Sequence, residues 1–268
     1  MAPVLTLNDG RTLPWIGFGT YPLRGDAGHA AVKAALTTGF RLLDSAVNYR
    51  NEVEVGRAVR EFIAETGTPR EEIVVQTKIP GPRHGYADAI QACQDSVELL
   101  GLDYIDVVLL HSPNPATGIF RECWRALVEL RGSGLVRSIG ISNVAAPQLA
   151  TIVADSGVVP AIGQIDMHPY RAQAETREEF ARLGIVSQSW SPLGGQTSAF
   201  NEPVVAEAAA DRRVTPAQIV LRWHLQSGSV PLPMSAMVAE QREYLDVFGF
   251  ELTPREMAEI TALRPPVT

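Results

Sequence analysis

The sequence predicts an α/β protein of the (β/α)8 TIM barrel class, preceded by a short N-terminal β-hairpin. Eight short apolar runs alternate with longer stretches of helical periodicity. The runs are apolar almost throughout, which is typical of parallel strands that are buried on both faces. No linker or break in composition separates them, so residues 1–268 are predicted to form a single domain. An open doubly wound sheet is the structural alternative.

The elements are assigned in chain order. Residues 5–7 and 12–14 flank the turn sequence Asn8-Asp9-Gly10 and form the predicted hairpin. The predicted strands of the barrel are 16–19, 41–44, 73–78, 105–111, 138–142, 162–166, 185–189 and 230–233. The predicted helices include 27–38, 52–66, 86–100, 120–133, 147–156, 174–183 and 215–227. Glycines follow several of these helices, and Thr215-Pro216 is typical of a helix start.

Composition and charge exclude several classes of function. Lys and Arg number 23 against 30 Asp and Glu, a net charge of −7, and no basic run favours nucleic acid or an anionic membrane as a partner. No apolar run reaches the roughly 18 residues of a membrane span. Cys93 and Cys123 form no CxxC pair, and the histidines show no metal-binding spacing. We therefore expect a cytoplasmic protein without a metal, and a monomer because no exposed apolar stripe stands out.

Polar side chains end most of the predicted strands. In a parallel barrel these ends meet at one rim, where active sites form. A lone Lys or His at a strand end is more often a solvated or capping group. Here a whole set shares the rim, and it consists of Asp44, Lys78, His111, Ser142 with Asn143, Gln164, and Trp190 with Ser191. The sequence therefore predicts an active site at this rim.

The segments around these residues carry a resemblance. Segment 39–52 reads GFRLLDSAVNYRNE and contains Asp44 and Tyr49. It is followed by VQTK at 75–78, DYIDVVLLH at 103–111, GLVRSIGISN at 134–143, QIDMHP at 164–169 and WSPLG at 190–194. In this order the segments resemble the aldo-keto reductases, especially the compact bacterial members, over about residues 4–252. The resemblance implies an NAD(P)H-dependent enzyme that reduces an aldehyde or ketone to an alcohol.

The resemblance also implies a catalytic set. Tyr49 is the expected general acid, and a free tyrosine has a pKa near ~10. Lys78 is the expected cation that lowers this pKa, and Asp44 is the carboxylate that holds Lys78. His111 is expected to donate a hydrogen bond to the substrate oxygen.

The cofactor residues are implied in the same way. Ser142, Asn143 and Gln164 match residues that hold the nicotinamide carboxamide, and Trp190 matches an aromatic residue that stacks on the ring. Backbone N–H groups between Ser191 and Gly195 are expected to bind the pyrophosphate. The full predicted set is Thr20, Tyr21, Asp44, Ser142, Asn143, Gln164, Trp190, Ser191, Leu193, Gly195, Ser235, Glu240 and Tyr244. No GxGxxG sequence follows the first strand, so a Rossmann domain is not supported.

One departure from the family concerns the choice of cofactor. Family members typically have a Lys before the Ser that matches Ser235 and an Arg at the position of Glu240, and these cations grip the 2′-phosphate of NADPH. Here Met234 and Glu240 replace them. A carboxylate that accepts from a free ribose 2′-OH is the usual solution for NAD. NADPH is implied by the resemblance, whereas Met234 and Glu240 leave NADH open. Arg242 can replace a missing cation only if its helix turns the side chain inward. Tyr244 is expected to pack on the adenine.

A second departure lies at the substrate pocket. Ser112 follows His111, where many family members have a Trp, and it is expected to widen or polarise the pocket. Tyr21 and Asn48 are also expected to line it. Three alternatives stay open: a regulatory module that binds the cofactor with little turnover, a reductase dedicated to an unusual biosynthetic intermediate, and a metal-dependent hydrolase on the same barrel. The histidine spacing speaks against the last of these.

Overall fold

The computed structural model describes residues 3–114 and 116–265. It opens with an antiparallel hairpin of strands β1 (Val4–Thr6) and β2 (Thr12–Pro14), in which Leu5 pairs with Leu13. Gly10 has a φ of 85°, which a glycine adopts without strain in this turn. The hairpin is thus confirmed, with its first strand one residue earlier than predicted. Residues 1, 2, 115 and 266–268 of the predicted domain lie outside the described residues.

Eight parallel strands follow and form one sheet. In sheet order each strand pairs with its neighbour along the chain, as expected for successive β–α units. The strands are β3 (Phe18–Gly19), β4 (Leu42–Asp44), β5 (Val74–Pro80), β6 (Ile105–His111), β7 (Val136–Ser142), β8 (Ile162–Asp166), β9 (Val186–Trp190) and β10 (Ser229–Pro231). All eight predicted strands are present within a few residues of their predicted bounds.

The sheet closes on itself between its first and last strands. The Gly17 N–H donates to the Pro231 carbonyl at 3.0 Å, and the Gly19 N–H donates to the Pro233 carbonyl at 2.9 Å. A Cβ atom on Gly19 would lie 2.8 Å from the carbonyl oxygen of Leu232, so the two strands can approach this closely only with a glycine there. The closed barrel confirms the predicted class, and the open-sheet alternative does not hold.

Helices surround the barrel. They are α1 (Gly25–Thr38), α2 (Glu52–Thr66), α3 (Tyr86–Leu100), α4 (Phe120–Ser133), α5 (Ala146–Ser156), α6 (Ala174–Arg182), α7 (Pro203–Arg212), α8 (Pro216–Gln226), α9 (Val238–Leu245) and α10 (Pro254–Ala262). The predicted helices correspond to α1–α6 and α8, and the Thr215 hydroxyl accepts from the Gln218 N–H as a cap. No bounds were predicted for helices α7, α9 and α10, because few large apolar residues mark a buried face on them.

The strand bounds correct one expectation. Strand β5 runs on to Pro80, so Lys78 lies inside the strand and not at its end. The carbon skeleton of Lys78 therefore lies among buried strands, and its side chain is fully buried. Within the described part of the chain, no helix is both long and apolar enough to cross a membrane.

Candidate active site

A cavity of about 680 Å³ opens at the carboxyl ends of the barrel strands. Most of the predicted site residues line it, while Lys78 lies buried beneath its floor. The lining residues are Gly19, Thr20, Tyr21, Pro22, Asp44, Asn48, Tyr49, His111, Ser112, Ser142, Asn143, Gln164, Trp190, Ser191, Pro192, Leu193, Gly195, Leu232, Pro233 and Met234.

A buried ion pair lies at the floor of this cavity. The Nζ of Lys78 donates to Asp44 Oδ2 and to the Ser45 carbonyl, both at 2.8 Å, and it lies 3.2 Å from the hydroxyl of Tyr49. Lys78 is 0% exposed and Asp44 only 4%. An ionised pair at this depth persists because each charge has its partner and further hydrogen bonds. The ammonium group is thereby held within reach of the tyrosine.

A short turn after β4 presents Tyr49 to the cavity. Residues Val47–Tyr49 form one turn of 3₁₀ helix, and the buried side chain of Asn51 fastens the chain that follows. Its Nδ2 donates to the carbonyl oxygens of Thr20 and Leu23, and its Oδ1 accepts from the Ser45 hydroxyl at 2.6 Å. Asn51 therefore joins the turn to the loop after β3.

Tyr49 stays protonated at neutral pH. Burial raises its pKa above the ordinary value of 10.0, and this effect outweighs the nearby positive charge of Lys78, which lowers the pKa. The carboxylate of Asp44 adds to the upward shift. Lys78 thus acts in the expected direction, but the net shift is upward and not downward. A neutral phenol is the form that can donate a proton.

His111 ends β6, the strand next to the one that carries Lys78. Its ring meets that of Tyr49 edge to face, with the ring centroids 6.3 Å apart. Burial, followed by the charge of Lys78, lowers the pKa of His111 to about 4. The imidazole is therefore neutral at physiological pH, and one of its nitrogens carries a proton that it can donate in a hydrogen bond.

The side chains of Ser142, Asn143 and Gln164 lie together on one wall. The hydroxyl of Ser142 is buried and has no hydrogen-bond partner among the residues that the structure describes. The Asn143 Oδ1 accepts from Trp190 Nε1 at 2.9 Å, and its Nδ2 donates to the Ser112 hydroxyl at 3.0 Å. A buried hydroxyl without a partner is costly, so this wall is suited to a polar ligand.

The loop after β9 forms the next part of the rim. Ser191 has a φ of 48°, and Gly194 and Gly195 also have positive φ values, which turns the chain back over the cavity. The fully buried His224 fixes this loop, because its Nε2 lies 3.0 Å from the Pro192 carbonyl. Thr20 differs from the other predicted residues, since its hydroxyl already donates to the Asp44 carbonyl and is 0% exposed.

The remaining predicted cofactor residues lie beyond the cavity and do not line it. Ser235 donates its hydroxyl to Glu240 Oε2 at 2.5 Å, and the Tyr244 hydroxyl donates to the same oxygen at 3.3 Å. Glu240 is half-buried, and no Lys or Arg side chain pairs with it among the described residues. Arg242 is exposed and does not turn inward. Their roles in cofactor binding stay predictions.

Several site residues were missed in the sequence. Gln76 and Gln188 are fully buried beside Asp44, and Asn51 fixes the tyrosine turn. Leu232 and Pro233 add an apolar wall to the cavity. A polar residue inside an apolar strand was the available signal for both glutamines. No cluster of His, Cys, Asp and Glu in the described part of the chain is arranged to hold a metal ion.

Comparison with known proteins gives a consistent result. The model of the aldo/keto reductase family matches residues 16–265. The 2,5-diketo-D-gluconic acid reductase B of Corynebacterium sp. is 48% identical over 97% of this chain and 93% of its own length. The crystal structure of an aldo/keto reductase from Brucella melitensis is 36% identical, with a TM-score of 0.91 over 97% of this chain and 99% of that one.

A second solved structure, a Bombyx mori aldo-keto reductase in complex with NADP, is 33% identical, with a TM-score of 0.90 over 97% of this chain and 92% of that one. Both the sequence match and these structures extend over nearly all of the barrel described above. This chain therefore belongs to the aldo/keto reductase family.

Proposed function

We propose that this enzyme reduces an aldehyde or ketone to an alcohol, with NADPH or NADH as hydride donor and Tyr49 as the general acid. One observation carries the proposal. The hydroxyl of Tyr49 lies 3.2 Å from a buried ammonium group and borders the same cavity as a neutral imidazole. Carbonyl reduction requires a proton donor and a group that stabilises developing negative charge on oxygen, and these residues provide both.

The residues of the cavity wall fit a nicotinamide carboxamide. The buried hydroxyl of Ser142 lacks a partner among the described residues, and Gln164 turns its amide nitrogen towards Asp44 and Gln188, which leaves its carbonyl oxygen for a ligand. Trp190 borders the cavity with its indole N–H fixed on Asn143. When bound, NAD(P)H supplies the hydride. The Bombyx mori relative binds NADP, which supports this assignment.

The path of the proton follows from the arrangement of His111, Tyr49 and Lys78. His111 orients the substrate oxygen through a neutral N–H donor, so the oxygen lies against the Tyr49 hydroxyl. As negative charge develops on that oxygen, Tyr49 gives up its proton. Lys78, held by Asp44, stabilises the phenolate that this transfer leaves behind. Lys78 therefore matters most after the transfer, which agrees with a tyrosine that is neutral beforehand.

The substrate pocket supports a polar carbonyl compound. Ser112 and Asn48 place polar groups at the mouth, close to Tyr49 and His111, and the exposed ring of Tyr21 packs against Tyr49 with the centroids 5.2 Å apart. The Corynebacterium relative is named for a diketo sugar acid. We infer that small carbonyl compounds carrying hydroxyl or carboxylate groups are substrates of this enzyme.

For the outer end of the cofactor, we infer that NADH competes well with NADPH. The carboxylate of Glu240 is held by Ser235 and Tyr244 and carries no paired cation among the described residues. A phosphate dianion placed near it is repelled, whereas a ribose hydroxyl can donate to it. We further propose a cytoplasmic monomer, because both cysteines are free and buried and the exposed large apolar side chains other than Met234, Met237 and Val238 are scattered.

The test is cofactor oxidation with an aromatic aldehyde or a dicarbonyl, followed at neutral pH for the wild-type enzyme and Tyr49→Phe. We expect Tyr49→Phe to lose about 10²–10⁴-fold in kcat while it binds the cofactor normally. Tyr170→Phe is the matched control, since Tyr170 contacts Glu202 away from the cavity. Unchanged activity in Tyr49→Phe would refute the mechanism. Cofactor binding by the wild-type chain without turnover of any carbonyl compound would favour the regulatory module.

A further inference from the structure

Three glutamines occupy the barrel interior beneath the cavity. Gln76 lies on β5, Gln164 on β8 and Gln188 on β9, and each is at most 1% exposed. The strand register places Gln76 beside Asp44 and Gln188 beside Gln164. Apolar side chains fill this space in most barrels, and a buried amide without a partner costs about 1–3 kcal/mol. A missing hydrogen bond at any of these three amides would therefore destabilise the barrel.

Gln76 and Gln188 form a reciprocal pair across the barrel. The Gln76 Nε2 donates to Gln188 Oε1 at 2.9 Å, and the Gln188 Nε2 donates back to Gln76 Oε1 at 3.1 Å. Each amide thus fixes the orientation of the other. Because its oxygen is taken by Gln188, Gln76 has only its Nε2 to offer to other groups.

The Asp44 carboxylate accepts a hydrogen bond from Gln76 of this pair. Its Oδ1 accepts from Gln76 Nε2 at 2.5 Å and from Gln164 Nε2 at 3.2 Å, while its Oδ2 accepts from Lys78 at 2.8 Å. Hydrogen bonds to a charged acceptor are stronger than neutral ones, and they determine the plane of the carboxylate. Oδ1 therefore accepts from the two amides, and Oδ2 accepts from the ammonium group.

Gln164 connects the pair to the cavity. Its Nε2 donates to Gln188 Oε1 at 3.1 Å as well as to Asp44, so the amide nitrogen points into the barrel and the carbonyl oxygen faces the cavity wall. An amide without these two acceptors could rotate and present its nitrogen instead. Gln188 thus holds Gln164 in the orientation that the proposed carboxamide site needs.

We infer that Gln76 and Gln188 are positioning residues that join the proposed cofactor site to the proton donor, through Gln164 on one side and Asp44 on the other. The inference rests on the proposed function, because it concerns the same Tyr49 and Gln164. Neither glutamine contacts the reacting atoms. Gln76 keeps the Asp44 carboxylate directed at Lys78, even when Gln164 is engaged by a ligand.

The first test is Gln76→Met, which keeps the volume and removes the amide. Asp44 then loses its shortest hydrogen bond, and its carboxylate is free to turn away from Lys78. We expect kcat to fall about tenfold with little change in KM for the cofactor, because the groups around the proton donor lose their orientation while the carboxamide site is kept.

Gln188→Met is the second variant, and it removes no direct partner of Asp44. Here Gln164 loses one of its two acceptors, so we expect the Kd of the oxidised cofactor to rise about fivefold, with a smaller loss in kcat. The control is Ser229→Ala. It removes another buried hydrogen bond of the barrel, 2.6 Å from Ser189 Oγ, that does not reach Asp44. It is expected to lower the Tm without lowering kcat.

The outcomes separate the two proposals. Absence of carbonyl reduction by the wild-type enzyme would contradict the proposed function itself. If the wild-type enzyme is active but Gln76→Met keeps its kcat and Gln188→Met keeps its cofactor Kd, the positioning role is wrong. It is also wrong if Ser229→Ala lowers kcat as far as Gln76→Met does, since any buried polar loss would then suffice. If Gln76→Met does not fold, the cofactor Kd of Gln188→Met alone decides between the two results.

Discussion

The two ends of the proposed cofactor site are built differently. At the inner end, Asp44 and Lys78 are carried by neighbouring strands, are almost fully buried and have partners for each charge. At the outer end, Glu240 lies on helix α9, is half-buried and has hydroxyl partners but no cation among the described residues. Strand register fixes the positions of Asp44 and Lys78, whereas Glu240 lies on a separate helix. We therefore expect the choice of cofactor to change with Glu240 while the reaction type stays the same.

The sharpest test of the inner end is Lys78→Met. Removing one partner of a buried ion pair leaves an uncompensated charge, so we expect a loss of about 3–5 kcal/mol in the free energy of unfolding. The chain has only one other lysine, Lys33, which forms ion pairs with Glu61 and Glu65 near the surface. Urea denaturation should show little loss for Lys33→Met. Equal losses in the two variants would remove the distinction between a buried and a surface charge.

A second prediction concerns pH. Burial lowers the pKa of His224 from 6.5 to about 3, so the unfolded chain binds a proton more readily than the folded one between these values. The associated stability is fully present above about pH 6.5 and is lost as the pH falls towards 3. We expect a decline of a few kcal/mol over this range.

The matched variant is His224→Gln, whose amide can still donate to the Pro192 carbonyl but does not titrate. Its stability should depend less on pH than that of the wild-type enzyme, as measured by chemical denaturation at several pH values. An identical slope in both proteins would show that other groups cause the decline.

Glu240→Gln tests the outer end. Removal of the negative charge should lower the Kd of NADPH roughly fivefold and leave that of NADH within about twofold, because only NADPH brings a phosphate to this position. Tryptophan fluorescence quenching reports both constants. Glu243→Gln is the control on the same helix, since its carboxylate accepts from Thr215 instead. If the Kd values of both cofactors changed equally, the 2′-position of the bound cofactor would not lie near Glu240.

The smallest expected effect is that of Ser112→Ala, at the lining of the cavity. Asn143 would lose the acceptor of its Nδ2 but keep the bond from Trp190. Because these groups are exposed, we expect the cofactor Kd to rise only about two- to threefold. The control is Ser133→Ala at the end of α4, whose hydroxyl contacts Leu130. If the cofactor Kd changed more in Ser112→Ala than in Glu240→Gln, the expected order of these two effects would be wrong.

The sequence predicted the barrel well because alternating apolar runs follow directly from a buried parallel sheet. It also predicted that Asp44, Tyr49, Lys78 and His111 lie close together at one rim of the barrel, where the cavity is found. It did not predict the bounds of α7, α9 and α10, whose amino-acid patterns are weak. Nor did it show the upward pKa shift of Tyr49 or the Gln76–Gln188 pair, because both depend on burial and register across strands that are far apart in the chain.

The seam of the barrel has a consequence for synthesis on the ribosome. The N–H groups of Gly17 and Gly19 donate to the carbonyl oxygens of Pro231 and Pro233, so this edge of the first strand stays open until the residues up to Pro233 have emerged. Through that interval the nascent chain exposes a row of unpaired backbone groups, which other chains can pair with. Chaperone demand during translation should thus depend on how fast the last third of the barrel is made.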